Sequence, residues 1–226
     1  MNTSATLSPE RGRTLVLVLA LINTVLASLV TALQVDATIR SNQALRSSQV
    51  YAVQVSGDLV RYSTQADYDL NTYALMLTNS QESLVAQFSA LKRQETGDQQ
   101  GYEALTLQGQ ISQAQADRAR SLSMLMINPA YAPASGQDSP NTTAYLADQQ
   151  APAKVLLQKQ NNASDAYHRW NNKSDSYVAV LTVLALAFFL LGVAQMVRPV
   201  LRLIFAYFAI GVMGIAILWS LILLVA

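Results

Sequence analysis

The chain has 226 residues, of which 51% are hydrophobic and only 13% charged, with a mean hydropathy of +0.22. An average soluble domain has about a quarter of its residues charged, so membrane protein is the leading class. The 15 basic and 14 acidic residues give a net charge of +1 spread along the chain, which argues against a nucleic-acid partner, and the lack of cysteine excludes disulfides, thiolate nucleophiles and cysteine-ligated metals.

Residues 1–13 are polar and carry Glu10, Arg11 and Arg13 just before an apolar run over 14–35. That run reads as a first transmembrane helix. A basic start and the tripeptide Val30-Thr31-Ala32 also fit a cleaved secretory signal, but the apolar stretch exceeds the roughly 7–15 residues of a signal core, and a retained anchor is the favoured reading. Within it Thr24, Ser28 and Thr31 follow i, i+4, i+7 spacing together with Ala27, a small and hydroxylated face expected to pack against another helix. Asn23, near mid-span, reads as a functional polar group or, the favoured reading, as a partner in an interhelical hydrogen bond.

Residues 36–176 turn sharply polar, rich in Gln, Ser, Asn and Asp, yet keep a helical rhythm. Leu45, Ala52, Val55, Leu59, Tyr62, Ala66, Tyr73, Leu77, Leu84, Phe88 and Leu91 are separated by threes, fours and sevens and so lie along one helical stripe. Gly57 interrupts this stripe and would permit a bend. Thr96-Gly97-Asp98 supplies a stop and a fresh cap. A second helix is expected from about residue 99 to 127, with Tyr102, Leu105, Leu122, Leu125 and Met126 as its clearest apolar positions and a middle, 108–120, too polar to show a core face. Prolines at 129, 133 and 140 make 128–141 a loop. A third helix should begin between Asn141 and Pro152 and run into the membrane, with Pro152 in its first turn or at a kink. The whole segment reads as an antiparallel helical bundle.

Two more apolar runs, 177–197 and 203–226, each contain no charged side chain and each exceed the roughly 20 residues that cross a bilayer as helix. Only residues 198–202, Arg-Pro-Val-Leu-Arg, separate them, so they form a hairpin with Pro199 at its corner. The predicted fold class is an all-α integral membrane protein with three transmembrane helices and a helical bundle between the first and second. Arg11, Arg13, Arg198 and Arg202 flank the spans, and positive charges beside spans favour the cytoplasm. The bundle is therefore expected outside the cell membrane, the amino terminus and the turn inside.

Catalytic motifs are not apparent. His168 is the sole histidine and stands without a nucleophile motif; Asp67 and Asp69 lack the glycine and later glutamate of a calcium loop and read as a solvated helix face; Gly97, Gly101 and Gly109 follow no strand. Asn141, Asn162 and Asn172 fit the N-glycosylation pattern inside the predicted external segment. Gln195 and Arg202 lie near enough to the turn to reach the interface, which gives a transporter little support. Ala209, Ala216 and Ser220 give the last span a small-residue face.

The stretch Ala44-Leu45-Arg46-Ser47-Ser48-Gln49-Val50-Tyr51-Ala52-Val53-Gln54, together with the order of elements, resembles a group of uncharacterised bacterial membrane proteins. That family, a domain of unknown function, has one N-terminal span, a helical middle and a C-terminal hairpin of two spans. A Gln/Trp/Ala/Tyr/Gln cluster opens its helix after the first span; the tryptophan and the charge-dense coiled middle are missing here. The resemblance implies an architecture and no activity. A coarser similarity to chemoreceptor-type sensors rests on an external helical bundle between two spans.

The expected function is that of a non-enzymatic structural or accessory component of a membrane assembly, without a cofactor, whose partners are the lipid bilayer and further copies of the chain or other membrane proteins. Tyr51, Tyr62, Tyr73 and Phe88 are the candidate contact residues. The alternative is a ligand-sensing module with its site inside the external bundle.

Overall fold

The computed structural model describes residues 9–133 and 139–225, with side chains from residue 12 onward. Almost every described residue is helical and none is in a strand. The elements are α1 (Pro9–Glu95), α2 (Gln99–Leu122), α3 (Met124–Ile127), a 3₁₀ turn (Pro129–Tyr131), α4 (Thr142–Met196) and α5 (Pro199–Val225). They form two compact units: a span unit, made of Met1–Gln49 and Gln160–Ala226, and a polar unit, Val50–Lys159.

In the span unit three helices are long and apolar enough to cross a membrane. Their shared core falls into two clusters. One holds Val16, Ala187, Leu191, Ala194, Ala206, Ala209 and Met213; the other holds Val30, Ala37, Tyr177, Val180, Leu184 and Ala216. The buried line of α1, Val16, Asn23, Val30, Ala37 and Ser41, repeats every seven residues until its last step of four. Asn23 lies on that line and donates from Nδ2 to the Leu184 carbonyl at 3.1 Å, the interhelical bond its mid-span position suggests. Ala209 and Ala216 are buried as their spacing predicts, and with Ala206 they let α5 approach closely.

Thr24, Ser28 and Thr31 behave differently from the expectation. They point away from the core, and each hydroxyl donates to the carbonyl four residues earlier, Ala20, Thr24 and Ala27 respectively, at 2.8–2.9 Å. A hydroxyl so satisfied loses nothing by facing lipid. The turn is also shorter than the five residues read from hydropathy. Pro199 is the first residue of α5, where its missing N–H is no loss, which leaves only Val197 and Arg198 between helices.

In the polar unit α1 continues through Gly57 and stops where expected. Gly97 adopts a positive φ of 78°, and the Asp98 carboxylate accepts from the Gly101 N–H at 2.9 Å to start α2. The helix expected over 99–127 is broken at Ser123, whose extended backbone (φ −106°, ψ 125°) separates α2 from α3. Asn128 caps the 3₁₀ turn and Asn141 caps α4, each by accepting from a backbone N–H at 3.0 Å. Of the loop expected over 128–141, residues 134–138 lie outside the described residues. Pro152 sits within α4, past its first turns.

Candidate functional site

The polar unit is organised around Asp69, one of the two aspartates whose spacing suggests a solvated face. Asp67 is exposed as that reading expects; Asp69 is 0% exposed. A buried carboxylate is tolerated only when its lone pairs are filled. Here Oδ1 accepts from the Met124 N–H at 2.9 Å, and Oδ2 accepts from Gln65 Nε2 at 3.0 Å and from the Tyr145 hydroxyl. The Ser123 hydroxyl adds a bond to the Asp69 carbonyl at 3.4 Å. Asp69 thus caps α3 from a neighbouring helix and accounts for the break at Ser123: the first N–H of α3 finds its acceptor on α1.

The Tyr145 ring meets Tyr131 edge to face, with centroids 5.2 Å apart, and Tyr131 donates to Asp148 at 3.1 Å. Ala66, Leu125, Tyr131 and Tyr145 form the buried cluster, with Leu70, Tyr73, Ala144 and Leu146 packed against it. Burial pushes the Asp69 carboxyl up, but hydrogen bonds led by those of Tyr145 and Gln65 outweigh it and hold the group below the ordinary carboxylate range. Burial and the Asp69 carboxylate push the Tyr145 hydroxyl well above its usual value, and burial with Asp148 raises that of Tyr131. A carboxylate with a lowered pKa and filled lone pairs is a weak proton acceptor. Its chemistry is that of a structural anchor.

Beyond this cluster the packing of α1 against α2 uses small residues. Asn79, Ser83, Ala86 and Ala90 on α1 and Gly109, Ser112, Ala116 and Ala119 on α2 are buried. Ser83 Oγ donates to the Gly109 carbonyl at 2.8 Å, a helix-to-helix contact, and a Cβ at Gly109 would meet its neighbours tightly, at 3.3–3.4 Å. The polar middle of α2, featureless by hydropathy, is therefore the part that packs. Large apolar side chains are displaced outward: Leu77, Leu84, Phe88 and Leu91, at seven-, four- and three-residue steps along α1, are exposed, Phe88 by 71%.

The four candidate contact residues consequently occupy different settings. Tyr73 leans on the buried cluster, Tyr51 and Tyr62 are half-buried, and Phe88 projects into solvent beside Leu84 and Leu91.

Of the flanking arginines, Arg13 and Arg198 are exposed, while the Arg11 side chain lies outside the described residues. Arg202 donates to the Ala194 and Val197 carbonyls at 3.2 and 3.4 Å, closing the end of α4. A Cβ placed on Gly12 would lie 3.7 Å from Arg202 Cδ, so the start of α1 lies beside the α4–α5 turn, at one end of the span unit. Comparison of the chain with protein-family models, curated proteins and solved structures gives no match.

Proposed function

We propose that the chain is a non-enzymatic integral membrane protein serving as a structural or accessory component of a membrane assembly, and that it engages its partner through the exposed row Leu77, Leu84, Phe88 and Leu91. The row itself carries this reading. Each large apolar side chain left in water forgoes up to about 2 kcal/mol of burial, and leucines at seven-residue intervals are the pattern by which one helix seats against another. The partner is a helix with a matching row, in the simplest case that of a second copy. Native mass measurement of the detergent-purified particle should show more than one chain per particle, and Leu84→Gln with Phe88→Gln should reduce it to monomer without unfolding the polar unit. A monomeric, partner-free wild-type particle would sink the assembly role.

The ligand-sensing alternative draws no support from the buried tyrosine cluster of the polar unit. The pocket beside Tyr73, Met76, Leu125 and Tyr131 has a volume of about 70 Å³, room for a few waters, against roughly 300–1,000 Å³ for metabolite sites.

We further read the orientation as amino terminus and turn inside the cell membrane and polar unit outside, because Arg13 and Arg198 stand at one end of the spans. The cysteine-free background allows a direct check. An impermeant maleimide should label Ser139→Cys in intact cells and Val200→Cys only after permeabilisation; the opposite pattern inverts the topology.

A further inference from the structure

At the end of the span unit away from the α4–α5 turn, Arg169, Trp170, Asn172, Lys173 and Ser176 of α4 and Leu223 of α5 line a pocket of about 570 Å³. Its chemistry is divided. Trp170 precedes the apolar run of α4 by two helical turns and packs on the buried cluster around Tyr177, while Leu223 belongs to the last turn of the apolar α5. Tryptophan at that level is the usual residue of a membrane–water boundary. The remaining wall is cationic and rich in donors.

Three positive groups crowd this wall. The Arg40 guanidinium lies 4.8 Å from the centroid of the Trp170 ring and the Lys173 ammonium 5.4 Å from it, and Arg169 stands one helical turn before Lys173. Like charges at i, i+4 repel. Among the described residues the carboxylates nearby form an ion pair with only one of them, Arg40. Asp36 pairs with Arg40 at 2.9 Å and Asp175 accepts from Asn171 at 3.2 Å; Asp165, one turn before Arg169, makes no ion pair, and neither Arg169 nor Lys173 has a carboxylate within salt-bridge distance. Arg169 and Lys173 thus have no carboxylate in contact, although Asp36, Asp165 and Asp175 balance the formal charge of the neighbourhood.

We infer that this pocket binds the phosphate headgroup of an anionic phospholipid, with Arg169 and Lys173 on the phosphate, Trp170 at the glycerol level and the acyl chain running down past Leu223. A lipid, as opposed to a soluble phosphate, is indicated by the wall itself: Trp170 and Leu223 give it an apolar side that an acyl chain fills and a free anion does not.

The test uses the full chain in detergent with added phosphatidylglycerol or phosphatidylcholine and counts retained lipid by native mass spectrometry. Phosphatidylglycerol should be retained over phosphatidylcholine, and Arg169→Gln with Lys173→Gln should weaken its retention by at least 10-fold, given roughly 5-fold per basic side chain at a membrane surface. Lys154→Gln with Lys159→Gln, the same charge change elsewhere on α4, should leave retention unchanged. Should the double variant misfold, the single Arg169→Gln carries the same expectation at about 5-fold. Equal retention of both lipids, or indifference to loss of Arg169 and Lys173, would overturn the proposal. So would displacement of the lipid by millimolar inorganic phosphate, which would assign the site to a soluble anion.

Discussion

The span unit and the polar unit bury different things. In the span unit leucine, valine and methionine share the interior with alanine, and further leucines face outward. The α1–α2 hairpin of the polar unit also puts serine, alanine and glycine inside and leucine and phenylalanine outside, although its surroundings are polar in sequence. Small-residue seams suit helices in lipid, where close approach is the main source of attraction. In water the same arrangement leaves burial energy unused. A polar unit with such a seam draws its remaining rigidity from polar groups such as Asp69.

The sharpest way to break this contrast is to remove that carboxylate. Asp69→Ala strands the Met124 N–H and the Tyr145 hydroxyl in the interior, and the polar unit should lose about 3–5 kcal/mol in urea titration. The pH dependence follows with a definite sign. The folded state holds the Asp69 pKa below its unfolded value, so this stability is complete above about pH 4 and is lost as pH falls through the folded value. The raised Tyr145 pKa contributes stability below about pH 10 that is lost as pH rises through its folded value. Asp69→Ala should flatten the acid limb.

A second substitution tests the seam. A Cβ at Gly109 would already lie 3.3 Å from Gln87 Cγ and 3.4 Å from the Ser83 carbonyl oxygen, so Gly109→Leu should force α1 and α2 apart and cost roughly 2 kcal/mol, read by the same titration. Unchanged stability would mean that the hairpin does not depend on close approach. The smallest effect belongs to the span unit. Asn23→Leu removes one interhelical bond and one buried oxygen, Oδ1, that has no partner among the described residues; thermal unfolding in detergent should register less than about 1 kcal/mol. A loss as large as that of Asp69→Ala would erase the distinction between the two units.

What the sequence discloses follows the same division. The three spans, the Asn23 bond and the Gly97-Asp98 stop are legible because hydropathy, span position and capping act within a few residues. Asp69 was hidden because its partner Tyr145 lies 76 residues away and because an aspartate on a polar helix looks solvated. One trace was present: Asp69 stands between Ala66 and Tyr73, on the apolar stripe. Ser83 and Gly109 carry no hydropathy signal at all. The stripe lies along one side of α1, but beyond Tyr73 the buried side is the one that carries Asn79, Ser83, Ala86 and Ala90. That is why Phe88 and Tyr73, similar by spacing, have unlike surroundings.

The stitch between Asp69 and Tyr145 also sets an order of events. During synthesis α1 is complete long before Tyr145 exists, and until then the carboxylate costs nothing because water solvates it. Desolvation and compensation come together only when the start of α4 docks, in a bond that joins residues distant in sequence. Interactions formed after the folding barrier act on the rate of opening and leave the rate of closing nearly untouched. If this stitch forms after that barrier, Asp69→Ala speeds unfolding of the polar unit and leaves its refolding rate nearly unchanged.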